Sequence, residues 1–470
     1  MRRAKIVSTL GPAVASSEKI RELVDAGMDV ARINRSHGSH EEHAQQIAWV
    51  REASEASGRA VAVLVDLQGP KIRTTRFSGG PVNLAVGDPF TITIEEVDGT
   101  KDRVGTTFKG LPGDVNVGDL LLIDDGKICL RATEVTPTDV VTTVVEGGVV
   151  SNNKGINLPG VAVSVPALSE KDEEDLRWAL RQGADWIALS FVRDARDVDR
   201  CHEIMEEEGV RRPVIAKIEK PQAVANLPEI LRAFDGIMVA RGDLGVEMPL
   251  EEVPLVQKRA VELARRNAKP VIVATQVLES MIENSRPTRA EASDCANAVL
   301  DGADAIMLSG ETSVGAWPII AVRTMARIIE NTEDHGLARI PPLGTQPSTT
   351  GGAVTRAAAQ IGEFLHAKYL LVFTTSGDSA RRMARVRPPL PMLAFSQDPQ
   401  TRRRLALTWG VTTYNVPDED INSLVRDVDK ILMEQGRCLD GDVVVVVGGT
   451  AAGVTGTTNM LQVHRVGSGA

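Results

Sequence analysis

Charged side chains follow several short apolar runs of this chain, at the positions where buried strands would end. One run carries Lys217 and Glu219, which are two residues apart and therefore point the same way along a strand. The next run is followed by Asp243, a second carboxylate at the corresponding level. An apolar interior does not accept such groups unless they pair or contact a ligand. A buried salt bridge is the plainer interpretation, but the second carboxylate favours a ligand site.

Glu219 and Asp243 from neighbouring strands form a pair of hard oxygen donors. Mg²⁺ is usually held by one or two carboxylates that leave other positions open for water or substrate oxygens. We therefore predict a Mg²⁺ site at these residues, with Mn²⁺ as the alternative ion. Gly242, beside Asp243, lets backbone N–H groups approach an anion closely, and a helix that begins there favours negative charge.

The remaining runs end in polar or basic residues. These are Thr275, Ser309, Glu311, Arg32, Lys71 and Arg73. A lone arginine is usually a solvated surface residue, but basic residues grouped at the strand ends of one barrel are typical of anion binding. The basic group therefore predicts a site for a polyphosphate.

Eight β-branched runs with helical patterns between them must position these residues. They are residues 5–8, 30–34, 62–66, 186–191, 214–219, 236–240, 271–275 and 305–308. Nearly continuous apolar runs indicate strands buried on both faces, as in a parallel sheet. Ser39 with Glu42 forms a capping-box pattern at one intervening helix, and Gly58 marks its end. Eight such units predict a (β/α)8 TIM barrel, in which chemistry sits at the carboxyl ends of the strands.

The alternation is interrupted once and changes once more near the C-terminus. Between the third and fourth strands, short alternating stretches at 90–94, 120–123, 128–132 and 140–145 are separated by turn signals. This pattern predicts a small inserted β-barrel domain that acts as a lid. The predicted domains are the first part of the catalytic barrel (1–70), the lid (71–166), the second part of the barrel (167–335) and a C-terminal α/β effector domain (336–470).

Composition excludes several classes of protein. Hydrophobic residues make up 43% and charged residues 25% of the chain, the balance of a soluble globular protein. The net charge is −10 and no Lys/Arg block forms a basic stripe, so we predict no nucleic-acid partner. No apolar run approaches the roughly 20 residues of a membrane span, and the four cysteines are scattered, which predicts reduced thiols in the cytoplasm. His37, His40 and His43 span a helix start without acidic partners, so we predict no metal there.

Several long motifs resemble the pyruvate kinase family. The stretch 214–219 looks like the family signature around its active-site lysine, and 34–37, 240–247, 274–282 and 307–312 are similar to its other active-site segments. The stretch 154–160, which closes the insertion, is similar as well. The resemblance runs from residue 5 to the C-terminus. It implies phosphoryl transfer from phosphoenolpyruvate to ADP, which gives pyruvate and ATP in the final step of glycolysis, and it implies a homotetramer.

The resemblance also implies roles for individual residues. Glu219 and Asp243 hold the Mg²⁺ that binds phosphoenolpyruvate, and Lys217 neutralises charge on the phosphoryl group and the enolate oxygen. The backbone of Gly242 and Asp243 receives the substrate carboxylate, and Thr275 helps to deliver the proton that forms pyruvate. Supporting and nucleotide-binding roles fall to Ser309, Glu311, Arg32, Asn34, Arg73 and Lys154.

One departure from the family concerns potassium. The ligands of its monovalent site, Asn34, Ser36 and Asp66, remain, but the family's potassium-requiring members have Asp-Thr-Lys-Gly-Pro-Glu where this chain has Asp66-Leu67-Gln68-Gly69-Pro70-Lys71. Lysine is a compact point charge. We therefore predict that Lys71 supplies the charge of potassium and that potassium is not required.

A loop in the C-terminal domain is similar to the family's effector loop. Its residues Thr374, Thr375, Ser376, Gly377 and Ser379 offer hydroxyls and free N–H groups at a helix start, the elements of a phosphate cradle. An ordinary helix cap is the alternative. The stretch 448–453, which matches the family's loop for a second phosphate, has no cation. We therefore predict a sugar monophosphate or AMP as the effector, in preference to a bisphosphate.

Two other functions remain as alternatives. A metal-dependent aldolase or lyase also stabilises a pyruvate enolate on a barrel with Glu and Asp ligands, but it does not explain the lid or the additional basic residues. A sugar-phosphate sensor without catalysis would lack the lysine or a metal carboxylate, and this chain has them. The glycine-rich stretch 448–453 is a weak dinucleotide-loop pattern, since neither a clear helix nor an acidic partner follows it.

Overall fold

The computed structural model describes residues 2–417, 421–449 and 458–468. The first barrel strands are Lys5–Thr9 (β1), Val30–Asn34 (β2) and Ala62–Asp66 (β3). The insertion contains Val82–Leu84 (β4), Pro89–Thr93 (β5), Arg103–Gly105 (β6), Leu120–Ile123 (β7), Ile128–Val135 (β8), Asp139–Glu146 (β9), Gly148–Val150 (β10) and Ile156–Asn157 (β11). The later barrel strands are Trp186–Leu189 (β12), Val214–Ile218 (β13), Gly236–Ala240 (β14), Val271–Ala274 (β15) and Ala305–Leu308 (β16). The last strands are Tyr369–Phe373 (β17), Met392–Ser396 (β18), Val411–Asn415 (β19), Val443–Gly449 (β20) and Thr458–Arg465 (β21).

Helices alternate with the barrel strands and cover the C-terminal sheet. In the barrel and the insertion they are Ser17–Ala26 (α1), His40–Ser57 (α2), Leu111–Asp114 (α3), Glu170–Arg181 (α4), Asp199–Glu207 (α5), Pro221–Ala225 (α6), Leu227–Ala233 (α7), Arg241–Glu247 (α8), Val253–Arg266 (α9), Arg289–Asp301 (α10), Gly310–Ser313 (α11) and Pro318–Gly336 (α12). In the C-terminal part they are Thr350–Phe364 (α13), Asp378–Ala384 (α14), Pro399–Arg404 (α15) and Ile421–Glu434 (α16).

All eight strands predicted for the barrel form, and they close into one parallel barrel in the order β1-β16-β15-β14-β13-β12-β3-β2. Their side chains are buried on both faces, which explains the nearly continuous apolar runs. One set of apolar side chains fills the barrel interior, with Val7, Leu64 and Met238 among them. A larger set packs the strands against the surrounding helices. The predicted TIM barrel is therefore confirmed, and it brings the carboxyl ends of eight strands to one rim.

The helices of the barrel begin where their sequences place a cap. Ser39 accepts the N–H of Glu42, whose side chain accepts the N–H of Ser39, so the predicted capping box is present. Ser169 and Asp172 form the same reciprocal pair at α4. Such caps satisfy N–H groups that have no partner within the helix, and each contributes about 1 kcal/mol. Gly58, with φ of +68°, ends α2 as predicted because only glycine adopts this conformation without strain.

The insertion is an all-β domain with its own hydrophobic core. Six strands form a sheet in the order β11-β7-β8-β9-β5-β6, and β10 pairs with β4 in a two-stranded sheet. Both sheets contribute to one core that includes Leu84, Phe90 and Val150, so the insertion is a β domain of two open sheets around a shared core. The strands that sequence reasoning missed, β4, β6, β10 and β11, are two or three residues long, too short to show an alternating pattern.

The C-terminal part contains a five-stranded sheet in the order β19-β18-β17-β20-β21, with β21 the antiparallel member. Apolar runs at 369–374, 392–395 and 443–447 in the sequence predict β17, β18 and β20. The edge strands β19 and β21 carry polar residues such as Thr412 and Gln462, so their patterns resemble loops. Of the stretch 448–453, only Gly448 and Gly449 fall within the described residues, at the end of β20.

Candidate functional site

The centre of the barrel rim is a buried network of two cations and two carboxylates. The Lys217 ammonium, on β13, lies 2.8 Å from Glu219 Oε1 and 3.4 Å from Asp66 Oδ1. Arg32, on β2, donates from Nε to Asp66 Oδ2 over 2.7 Å, and its Nη2 also lies 2.7 Å from that oxygen. The structure thus joins strands β2, β3 and β13, which lie far apart in the chain but share one rim.

Burial and charge set the protonation of this network. Burial opposes the charged form of Lys217, but the carboxylates of Asp66 and Glu219 outweigh it and raise the pKa of the lysine above its ordinary value. Burial likewise opposes ionisation of Asp66, but the charges of Lys217 and Arg32 hold its pKa below the ordinary value. Lys217 and Asp66 are therefore both charged at neutral pH.

Glu219 and Asp243 bring two carboxylates to the ends of the neighbouring strands β13 and β14. Glu219 is 1% exposed, and burial raises the pKa of its carboxyl. The positive charge of Lys217 opposes this shift, whereas the negative charge of Asp243 adds to it. One oxygen of Glu219 accepts the Phe191 N–H over 2.6 Å. Asp243 lies in the first turn of α8, directly after β14. Two oxygen donors that repel each other and lack a full complement of positive charge are what a hard cation stabilises.

Thr275 and Gly242 contact each other across neighbouring strand ends. Thr275 has a φ of +68°, a left-handed conformation that costs a β-branched residue roughly 1–3 kcal/mol. Its hydroxyl accepts the Gly242 N–H over 2.7 Å and donates to the Ala274 carbonyl over 2.6 Å. Strain of this kind at a barrel rim is typical of a functional site.

Ser309 and Glu311 follow β16 on the same rim. Glu311 is buried and accepts the N–H groups of Leu278 at 3.1 Å and Ser309 at 2.7 Å. Burial raises the pKa of Glu311, although these N–H donors oppose the shift. The Ser309 hydroxyl is buried and has no hydrogen-bond partner among the described residues. The carboxyl of Glu311 therefore fixes the loops after β15 and β16 relative to each other.

The predicted residues of the insertion lie at its junction with the barrel. Arg73 donates from Nη1 to the Asn153 carbonyl over 3.0 Å. Lys154 lies 2.9 Å from Asp124 Oδ1, so its ammonium is paired within the insertion. Within the described part of the chain, neither side chain forms a hydrogen bond or an ion pair with the Lys217 network. The structure thus brings together the barrel residues but holds these two cations apart from them.

Of the residues predicted for the monovalent site, Asn34 and Asp66 have partners within the protein, whereas the ammonium of Lys71 has no ion-pair partner among the described residues. Asn34 accepts the N–H of Ser36 over 3.2 Å, and Asp66 forms part of the lysine network. Lys71 is exposed five residues after Asp66, and its ammonium forms no ion pair with any residue that the structure describes. The structure therefore does not join Lys71 to Asp66.

A cavity of about 840 Å³ opens beside this rim. It is bounded by the loop after β1, the end of β2 and the start of α2, and Thr9, Pro12, Asn34, His37 and Trp49 are among its walls. Small-molecule sites usually span roughly 300–1,000 Å³. Thr9 also accepts a hydrogen bond of 3.0 Å from Arg32, so one wall of the cavity contacts the charged network.

The predicted effector loop forms a tight turn between β17 and α14. The Thr374 hydroxyl accepts the Gly377 N–H over 3.0 Å, and Gly377 has a φ of +82°. Thr375 and Ser376 are exposed, whereas Ser379 is buried and its hydroxyl bonds to that of Thr458 on β21. The exposed hydroxyls at the tip are therefore free to contact a ligand, and that of Ser379 is occupied.

The three histidines near the start of α2 have structural partners. His40 stacks on Trp178 with ring centroids 4.9 Å apart and lies 2.7 Å from Asp175. His43 is buried against Arg35, and burial, with the charge of Arg35, lowers its pKa to about 4. His37 is exposed beside the cavity.

Sequence reasoning missed two side chains that orient the charged network. Ser190, after β12, accepts a hydrogen bond of 2.8 Å from Lys217 and donates to the Leu67 carbonyl over 2.7 Å. Thr9, at the end of β1, accepts from Arg32. Both lie at carboxyl ends of barrel strands, and that position is the signal that identifies them.

A buried lysine and arginine held by carboxylates can stabilise charge that moves between oxygens, and a closed barrel presents them at one rim beside a cavity. The fold and the site together define the class of barrel phosphotransferases. Comparisons with known proteins make the assignment specific. The family profile "Pyruvate kinase, barrel domain" matches residues 1–322, and "Pyruvate kinase, alpha/beta domain" matches residues 352–464. The chain therefore belongs to the pyruvate kinase family, as its motifs predicted.

Individual relatives agree with this assignment. A pyruvate kinase of Mycobacterium intracellulare is 60% identical over 467 residues, which span 99% of each chain. One from Geobacillus stearothermophilus is 44% identical over 99% of this chain and 80% of its own. The crystal structure of a pyruvate kinase from Cryptosporidium parvum, 34% identical, matches with a TM-score of 0.92 over 99% of this chain and 96% of that chain.

Family membership gives the chain its general activity. It is an enzyme that transfers a phosphoryl group, with phosphoenolpyruvate, ADP and ATP as substrates and with a divalent metal. No helix within 2–417, 421–449 or 458–468 is long and apolar enough to cross a membrane.

Proposed function

We propose that Lys217 is the side chain that neutralises charge when the phosphoryl group of phosphoenolpyruvate passes to ADP. The observation that carries this proposal is the position of its ammonium, which is buried at the rim between Glu219 at 2.8 Å and Asp66 at 3.4 Å. Such a cation needs no reorganisation when charge develops on the phosphoryl and enolate oxygens. The enzyme thereby yields pyruvate and ATP, the final step of glycolysis.

Glu219 and Asp243 would hold the divalent metal, for which we propose Mg²⁺ with Mn²⁺ as the alternative. When bound, the ion polarises phosphoryl oxygens as a Lewis acid. The raised pKa of Glu219, caused by burial and by Asp243, supports this assignment because a bound cation relieves both effects.

We propose that Thr275 controls the last proton transfer. The substrate carboxylate would take the N–H groups of Gly242 and Asp243, which frees the Thr275 hydroxyl from its present bond to Gly242. That hydroxyl then relays a proton to the enolate carbon, and pyruvate forms. Ser309 and Glu311 are positioning residues, since the Glu311 carboxyl binds the backbone of both neighbouring loops.

We propose that the nucleotide occupies the cavity beside β1 and β2. Asn34 and Thr9 contribute to its wall, and Arg32 donates a hydrogen bond to the Thr9 hydroxyl. Arg73 and Lys154 would reach the phosphates from the insertion. For this purpose residues 71–166 act as a lid over the barrel of residues 1–70 and 167–335, and closure excludes the water that competes with ADP.

We also propose that the enzyme does not require potassium. Support comes from the sequence, which has Leu67 and Lys71 where potassium-requiring members have threonine and glutamate. The ammonium of Lys71 is free to supply a charge, since it forms no ion pair within the described part of the chain. Asn34, Ser36 and Asp66 would line the monovalent site that this charge replaces.

A sugar monophosphate or AMP is the effector that we propose for residues 336–470. The exposed hydroxyls of Thr375 and Ser376 and the turn at Thr374 and Gly377 support a phosphate site, and Ser379 would join it by exchanging its present partner. The stretch 450–453, outside the described residues, offers no cation for a second phosphate. We further propose a homotetramer in the cytoplasm, where the four buried free cysteines remain reduced.

Formation of ATP from phosphoenolpyruvate and ADP tests the reaction directly. We expect ATP and pyruvate in equal amounts with Mg²⁺ or Mn²⁺ present, and no ATP after chelation. A metal-dependent aldolase or lyase on the same carboxylates would break a carbon–carbon bond in another substrate and would form no ATP from phosphoenolpyruvate and ADP. The absence of ATP formation would therefore contradict the proposal.

A further inference from the structure

A second group of cations lies far from the barrel rim, in a cleft between the barrel and the C-terminal domain. Its cationic walls are Arg265 at the end of α9, Lys269 before β15, and Arg381, Arg385 and Arg387 in and after α14. The one carboxylate among the lining residues is Asp304. Five cations against one carboxylate give the cleft a strong excess of positive charge.

Nearby carboxylates balance only part of the excess. Asp304 pairs with Arg387 at 3.1 Å and also accepts the N–H groups of Val271 and Trp409. Asp378, on α14, pairs with Arg382, and together with Asp235 it also acts on Lys269 and Arg381 from a distance. Four of the five cleft cations nevertheless form no ion pair within the described residues; these are Arg265, Lys269, Arg381 and Arg385.

Carbonyl oxygens hold the guanidinium groups in place. Arg265 donates to the carbonyls of Pro341 and Arg385, and Arg385 donates to the carbonyl of Arg266. Arg387 is 6% exposed and donates to Ala384 and Gly302. These bonds fix the groups but do not neutralise them, and the buried Nε atoms of Arg385 and Arg387 have no partner among the described residues.

Lys269 has the fewest partners of the five. Its ammonium forms no hydrogen bond or ion pair within the described residues, and burial lowers its pKa. Burial also lowers the pKa of Arg265 to about 10, with the charge of Arg387 adding to the effect. Like charges are brought together here at a cost that a bound anion would remove.

We infer that this cleft binds a phosphate-type oxyanion and thereby joins the C-terminal domain to the base of the barrel. The free volume is only about 10 Å³, far below the roughly 300 Å³ of ordinary small-molecule sites. This space is about that of one water molecule, so the long side chains must move apart to admit even a small anion or the phosphate group of a larger molecule. Arg381 also donates to the Ser376 carbonyl, so one wall of the cleft contacts the effector loop.

Thermal unfolding of the full chain, titrated with inorganic phosphate at constant ionic strength in chloride, tests this inference. We expect phosphate to raise the unfolding temperature of the wild type. Lys269→Gln is expected to bind phosphate about tenfold more weakly, because a charged hydrogen bond is lost. Without phosphate, the same variant should unfold at an equal or higher temperature, since one like charge has been removed. A lysine with only a structural role would give the opposite result.

Two controls separate the cleft from other sites. Lys19→Gln removes an exposed charge on α1 and should respond to phosphate as the wild type does. The double variant Thr375→Ala/Ser376→Ala removes the tip of the effector loop and should retain the response. If Lys269→Gln responds like the wild type, or if only the loop variant loses the response, the inference is wrong.

A parallel titration with ribose 5-phosphate identifies the source of the anion. A response to both compounds that depends on Lys269 indicates free phosphate as a sufficient ligand. A response to ribose 5-phosphate alone, again dependent on Lys269, indicates the phosphate group of a larger molecule. The absence of any response to either compound in the wild type would overturn the inference.

Discussion

Replacement of Lys217 by methionine tests the centre of the proposed mechanism. Methionine keeps the length and most of the volume of lysine but removes the ammonium, which in the structure contacts Glu219, Asp66 and Ser190. A fixed cation in a phosphoryl-transfer site can contribute ~10³-fold in rate, which corresponds to about 4 kcal/mol of transition-state stabilisation. We expect turnover to fall by that factor in a coupled assay of pyruvate formation.

The same substitution also has a structural cost that must be measured separately. The Lys217 side chain is 12% exposed. Its replacement leaves the buried carboxylates of Glu219 and Asp66 without the cation that they share. Removal of one partner from a buried ion pair usually costs about 3–5 kcal/mol. We expect a lower unfolding temperature that Mg²⁺ partly restores, since the ion is held by Glu219 and Asp243 and replaces some of the lost positive charge.

Lys220→Met is the matched control. Lys220 lies three residues further along, its side chain is 11% exposed, and it pairs with the buried Glu247 at 2.6 Å. Its loss should lower the unfolding temperature to a similar extent, yet leave turnover within about tenfold of the wild type. If Lys217→Met keeps more than a tenth of wild-type turnover, or if both variants lose activity equally, the catalytic role assigned to Lys217 is wrong.

Three further predictions concern the potassium site, the effector and pH. The enzyme should turn over in potassium-free buffer and Lys71→Glu should make it depend on potassium; inactivity of the wild type without potassium would contradict the proposal. Activation curves should show glucose 6-phosphate, ribose 5-phosphate or AMP acting at least as well as fructose 1,6-bisphosphate, and the response should weaken in Ser376→Ala; tight preference for the bisphosphate would reveal a second phosphate receptor. The pKa of His43 is lowered from 6.5 to about 4, so its contribution to stability is complete above pH 6.5 and is lost as the pH falls towards 4. Urea unfolding should show that, between pH 6.5 and pH 4, the free energy of unfolding of the wild type falls by up to about 3 kcal/mol more than that of His43→Gln. If the free energy of unfolding depends on pH in the same way for the two proteins, the assignment is wrong.

The amino-acid sequence by itself determined the barrel and most of its rim. The eight apolar runs are buried on both faces, so their composition leaves little choice other than a parallel sheet closed on itself. Closure places the carboxyl ends at one rim, which is why the sequence alone is enough to group Lys217, Glu219 and Asp243. This reasoning could not find the edge strands β19 and β21 or the shortest strands of the insertion. These strands form because they pair with neighbouring strands, and their own residue patterns do not mark them as strands.

Only the tertiary structure decided which charges meet. The family resemblance assigned Asp66 to a monovalent site, and only the fold shows that Asp66 also pairs with Arg32 from β2 and lies close to Lys217 from β13. The hydrogen bond between Ser190 and Lys217 and the cation cleft at Lys269 were likewise invisible in the sequence, because the residues concerned come from elements far apart in the chain. Electrostatic interactions depend on distance and burial, and a linear sequence fixes neither until the strands have paired and the domains have packed.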